Sequence, residues 1–145
     1  MSFISHFLHF AKDITQSERG LAYDTQFSVV GHADIDDLVL KSAKFNDLAQ
    51  QVIREAQDKN EAIITNNVII DPTKAPTTNI SFSDLRMVVA IPLVGVGVVY
   101  LDRLIKVGVI PREQIEKIKA FGDSLLSTPY ETLSLDELKT QFEAF

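Results

Sequence analysis

Between Arg86 and Asp102 the chain reads RMVVAIPLVGVGVVYLD, with no charged side chain inside the run. A stretch this apolar is a membrane span, a buried helix or buried sheet. A spanning helix takes roughly 20 apolar residues; this run is shorter and is interrupted by Pro92, Gly95 and Gly97. Proline breaks a helical ladder, and each glycine costs about 1 kcal/mol relative to alanine in a helix. The remaining residues are mostly valine and isoleucine, whose branched side chains suit strands. The run therefore predicts two strands, over 86–93 and 97–104, joined by a tight turn near Gly95 and Gly97. Neither strand alternates cleanly, which is the pattern of central strands covered on both faces.

The chain has 145 residues, enough for one domain with a proper core. Its net charge is −6 and no stretch gathers Lys and Arg on one face, which argues against direct contact with nucleic acid. There is no cysteine, so disulfides, thiol catalysis, thiolate metal sites and thioether-linked chromophores are excluded. With neither a span nor a signal-like segment, the expectation is a cytoplasmic protein or domain that does not enter a membrane.

Helical spacing recurs three times at length. Phe3, Ile4, Phe7, Leu8, Ala11 and Ile14 place a helix over 2–14, with Ser2 as its cap. Phe45, Leu48, Ala49, Val52, Ile53 and Ala56 place a second over 42–59, capped by Ser42 or Asn46. Pro111, Ile115, Ile118, Phe121 and Leu125 place a third over 111–127, ended by Pro129. Ser134 and Glu137 form a capping-box signature before a short helix carrying Leu138 and Phe142. Segments 20–24 and 26–33 read as a hairpin turning near Asp24-Thr25, 33–41 as loop, and 61–65 as a short strand. Residues 66–84 form a long polar stretch; loops of this length inside a compact domain are uncommon and often functional.

The expected architecture is α/β of the α+β kind, a five- to six-stranded antiparallel sheet. Three helices, 2–14, 42–59 and 111–127, pack on one face, and the long loop, with a short helix, lies on the other. The main domain spans 1–127 and a tail with a short helix spans 128–145. A face closed by a loop is a place to hold a small ligand.

Several segments carry a resemblance. SERGLAYD (17–24), LAQQVIREAQDKNEAIITNN (48–67), SDLRMVVAIPL (83–93) and GVVYLDRLIKVGVIPREQIEKIKAFGDSLL (97–126) follow one another in the order and spacing of a GAF domain, the small-molecule sensor module of signalling proteins. The chain resembles that family over roughly 3–127. Met87 stands where the family often has serine, and the turn at 94–96 is short. The resemblance implies a GAF/PAS-like fold whose front loop lids a pocket and whose terminal helices transmit its state to an output domain or partner protein. The residues associated with cyclic nucleotides, bilins and methionine-sulfoxide reduction in that family are absent, so the expectation is a regulatory domain in signal transduction or transcription regulation and not an enzyme.

Candidate site residues follow. Asn66, Asn67, Thr77, Thr78, Asn79, Ser81 and Ser83 put neutral donors and acceptors on the long loop, where they contact a polar ligand or satisfy turn backbone. Arg86 begins a buried strand beside the loop, with Met87 next to it, and binds an anionic group or pairs with Asp84 or Asp71. No histidine neighbours these hydroxyls, so nucleophilic catalysis has no support. His6, His9 and His32 lack the partner ligands a metal site needs, and Asp34, Asp36 and Asp37 lack the order of a calcium loop, so neither metal nor cofactor is expected. Phe3, Phe7 and Phe10 lie at i, i+4 and i+7 and form one ridge. Such a ridge needs cover, either from a second copy in a homodimer through the terminal helices or from Leu138, Phe142 and Phe145 of the same chain. Two functions follow: a ligand-responsive regulatory domain, or a GAF-like dimerisation or scaffold module that has lost its ligand.

Overall fold

The computed structural model describes residues 2–68 and 85–145. Ser2 accepts the Ser5 N–H and starts α1 (Phe3–Thr15). The hairpin β1 (Arg19–Tyr23) and β2 (Val29–Ala33) follows. Its turn is longer than the sequence suggests, because the Asp24 carboxylate accepts the N–H groups of Gln26 and Ser28 and keeps them out of the ladder. Residues 33–41, read as loop, contain a single-turn helix, α2 (Asp37–Leu40), capped by Asp36. Ser42 caps α3 (Ala43–Lys59), and Asn60 ends it in the left-handed conformation. β3 (Ile63–Val68) runs past the expected 61–65 and takes in Asn66 and Asn67. The apolar run forms β4 (Leu85–Leu93) and β5 (Gly97–Leu104). α4 (Arg112–Leu125) follows Pro111, and the capping box of Ser134 and Glu137 opens α5 (Leu135–Glu143).

The five strands form one antiparallel sheet in the order β2-β1-β5-β4-β3. Two glycines are required by this pairing. A Cβ on Gly97, whose φ is +154°, would overlap the Tyr23 carbonyl where β5 meets β1. A Cβ on Gly20 would lie 2.6 Å from Leu8 Cδ1 and 3.0 Å from the Tyr100 carbonyl oxygen, so the bare position lets α1 and β5 approach β1 closely.

The central strands are apolar on both faces because each face carries its own core. On one face Val89, Ile91, Leu93, Val99 and Leu101 pack under α1 and α4, whose core α5 extends. On the other, Leu21, Val88, Ala90, Val98 and Tyr100 pack under α2 and α3. Among the described residues two of the expected three helices, α1 and α4, cover one face, and α5 lies on α1. The 42–59 helix lies on the opposite side, where the long loop was to be the cover. α3 connects the outer strands β2 and β3 and runs along the central strands, from Phe45 on the Tyr100 ring to Asn60 beside Pro92 and Gly95. The expected 66–84 loop is strand as far as Val68, and the rest lies outside the described residues.

The aromatic ridge of α1 is buried within the single chain. Phe3 meets the Tyr130 ring at 4.8 Å, and Phe10 meets Phe121 at 5.4 Å and Phe142 at 5.2 Å. Phe7 and Phe10 are fully buried. The exposed apolar edge that would call for a second copy at Phe3, Phe7 and Phe10 is therefore not there, since the tail already lies on it. Leu138 and Phe142 do the covering, while Phe145 stays half exposed beside Phe121. No helix among the described residues is long and apolar enough to cross a membrane.

Candidate functional site

Charge is buried at one end of the α3 face. In the β1–β5 register Arg19 sits opposite Asp102, and Arg86 lies diagonally across on β4. Alternate residues of a strand share a face, which puts Arg19, Leu21 and Tyr23 of β1 beside Val98, Tyr100 and Asp102 of β5. Asp102 is fully buried. Its carboxylate accepts Arg19 Nε at 2.8 and 2.9 Å, Arg86 Nη1 at 3.0 Å and the Tyr100 hydroxyl at 2.7 Å. These four contacts nearly exhaust its acceptor capacity. Glu18 Oε1 takes a further contact from Arg86 Nη1 at 3.2 Å and the Leu104 N–H at 2.6 Å. The Arg19 guanidinium lies 5.3 Å from the centre of the Phe45 ring, so α3 roofs the cluster.

The cluster has donors to spare. Among the described residues Arg19 Nη2 is buried without a partner, and so is the Tyr23 hydroxyl. An unpartnered buried donor costs about 1–3 kcal/mol, more when charged, so the Arg19 nitrogen is the atom here that most needs an acceptor. Burial pushes the Tyr23 phenol far above its ordinary value, and burial followed by the Asp102 charge pushes Tyr100 up. Both shifts favour the neutral phenol in the folded chain. The stability they carry is complete below the unfolded value near pH 10 and is lost as pH rises through it toward the folded values. Urea midpoints should hold between pH 8 and about 9.5 and fall beyond pH ~10, and Tyr23→Phe should flatten part of that fall. An unchanged midpoint at high pH would show that neither phenol is held as described.

No protein-family model matches the chain, and no curated protein matches it.

The sheet divides the expected site residues. Asn67 is the register partner of Arg86, and Asn66 that of Met87. Arg86 lies on the α3 face and Met87 in the core under α1 and α4, so one pocket on one face cannot take both Arg86 and Met87. Met87 is occupied otherwise: its sulfur accepts the Ile110 N–H at 3.3 Å. Thr77, Thr78, Asn79, Ser81 and Ser83 lie outside the described residues, as do Asp71 and Asp84. Among the described residues Arg86 pairs with Asp102 and Glu18.

Sequence reasoning passed over Arg19, Asp102, Tyr100 and Glu18 as a group. The signal was present: Arg86 and Asp102 bracket the charge-free run, and a tight hairpin brings its two ends side by side. The acidic turn has structural work, with Asp36 capping α2 and Asp34 bonding Lys12 at 2.6 Å. A half-open groove of about 210 Å³ beside the β4–β5 turn is lined by Thr25, Gln57, Asn60 and Pro92 among others and carries no charged side chain.

Proposed function

We propose that the chain is a regulatory sensor module of the GAF kind. It holds a small polar molecule at the charged end of the α3 face and passes the bound state to an output domain or partner protein through its terminal helices. One observation carries this reading: the buried Arg19 Nη2 has no acceptor among the described residues, next to a second buried guanidinium. The order of the GAF-like segments in the sequence supports it, and so does the position of Arg86 and Asn67 where the 66–84 segment leaves and rejoins the sheet. The module binds without covalent attachment and performs no chemistry of its own.

A second reading is favoured by the filled interior of the same face. Phe45, Val52, Ile53, Tyr23 and Tyr100 pack into it from both layers. In that case the module is a scaffold or dimerisation unit without a ligand.

A thermal-shift screen with small carboxylates, phosphates and neutral polar compounds separates the two. A ligand at a hundred times its dissociation constant stabilises by about 2.7 kcal/mol. The sensor reading expects at least one class to raise Tm, and expects Thr78→Ala with Asn79→Ala to diminish the rise. A screen in which nothing shifts Tm favours the scaffold, and a shift that is equal in the double variant moves the ligand elsewhere.

A further inference from the structure

The surface that α1 and α4 present to α5 is a helix-binding groove. Its floor is Phe7, Phe10 and Phe121, and its occupant contributes Leu138 and Phe142, one helical turn apart. Two polar clamps fix the register: Lys139 Nζ to Asp13 Oδ2 at 2.9 Å, and Lys117 Nζ 4.9 Å from the centre of the Phe142 ring. Tyr130 extends the same seat over Phe3. Segment 130–145 thus docks as a unit.

What ties that unit to α4 is a bent strap. Ser127, Thr128 and Pro129 are exposed. The Tyr130 N–H closes back on the Thr128 carbonyl at 2.8 Å, a three-residue turn with Pro129 at its centre. Proline also disfavours helical backbone at the residue before it, so the strap resists compaction, and a short hinge of this kind favours exchange of the element beyond it.

We propose that segment 130–145 exchanges between two copies of this chain by opening at Thr128-Pro129, each α5 then occupying the α1–α4 groove of the other. The groove contacts and both clamps are reproduced in trans, and only the strap changes shape. This inference does not rest on ligand binding. A short tether holds its element at a local concentration in the mM range, so the closed monomer prevails at low concentration and the exchanged dimer grows in as the protein approaches that range.

The chain has no cysteine, which makes the test clean. Chains carrying Asp13→Cys are mixed with chains carrying Lys139→Cys, incubated dilute and concentrated, and treated with a short bis-maleimide. Exchange gives a linked product containing one chain of each kind, increasing with concentration. Deleting Thr128 and Pro129 shortens the reach by up to ~7 Å and should lower the dimerisation midpoint by light scattering about tenfold or more; inserting Gly-Ser-Gly after Thr128 should raise it. A native-hinge mixture that stays monomeric and yields no mixed product at any concentration overturns the proposal, whatever the shortened variant does.

Discussion

Replacing Asp102 by alanine should remove about 3–5 kcal/mol of stability, the usual effect of taking one partner from a buried ion cluster. The carboxylate is fully buried and receives Arg19, Arg86 and the Tyr100 hydroxyl. Without it two guanidinium groups stay in the interior against one half-exposed carboxylate, Glu18, and the Tyr100 hydroxyl loses its acceptor. For a chain of this size each kcal/mol moves Tm by roughly 2–4 °C, so the variant should melt well below the parent. A matched control is Arg19→Met, Asp102→Leu and Arg86→Met together. Apolar replacement of an entire buried ion group is often neutral or stabilising, so this triple variant should be more stable than Asp102→Ala alone. A loss under ~1 kcal/mol for the single variant in urea melts would mean that water reaches the cluster and screens it.

Phe10→Ala should be as severe, at about 3–5 kcal/mol. Phe10 is fully buried and its ring meets those of Phe7, Phe121 and Phe142 at centroid distances of 5.2–5.5 Å. Its removal opens a void where α1, α4 and α5 converge, and the rings around it belong to three different elements that cannot collapse together. The damage should have a direction as well as a size. α5 rests chiefly on α1, so its amides should exchange with solvent faster than those of β4 and β5 in the variant. A variant that loses stability but keeps α5 as protected as the central strands would show that α5 does not depend on that ring.

Much of the fold was legible. The central hairpin, the three long helices and the capping box follow from local rules: glycine and proline placement, apolar spacing and a side chain able to cap. Which face of the sheet α3 occupies does not. Its stripe of Phe45, Ala49, Val52, Ile53 and Ala56 says how much of the helix is buried, but β4 and β5 are equally apolar on both sides and offer it either. The same limit applied to Phe3, Phe7 and Phe10. The sequence shows a ridge and a tail able to cover it, but chain connectivity decides whether the cover is the chain's own. Of the candidate site, Arg86 pairs among the described residues with Asp102 and Glu18, which come near only once the strands have paired, while Asp71 and Asp84 lie outside the described residues. Arg86 and Met87 are neighbours in the sequence, but neighbours on a strand face opposite ways.

The β1–β5 pairing has a consequence for the order of assembly. Arg19 and Asp102, bonded at the middle of the sheet, stand 83 residues apart in the chain. At a synthesis rate of about 5–20 residues per second, β1 leaves the ribosome roughly 4–17 s before the strand it needs. Until then it has only β2, and an isolated two-stranded hairpin is marginal in water. During that interval the phenylalanines of α1 also lack α4 and α5. The nascent chain therefore carries an aromatic helix and an open strand edge together, and the strand that closes the edge is followed directly by the helices that cover the aromatics.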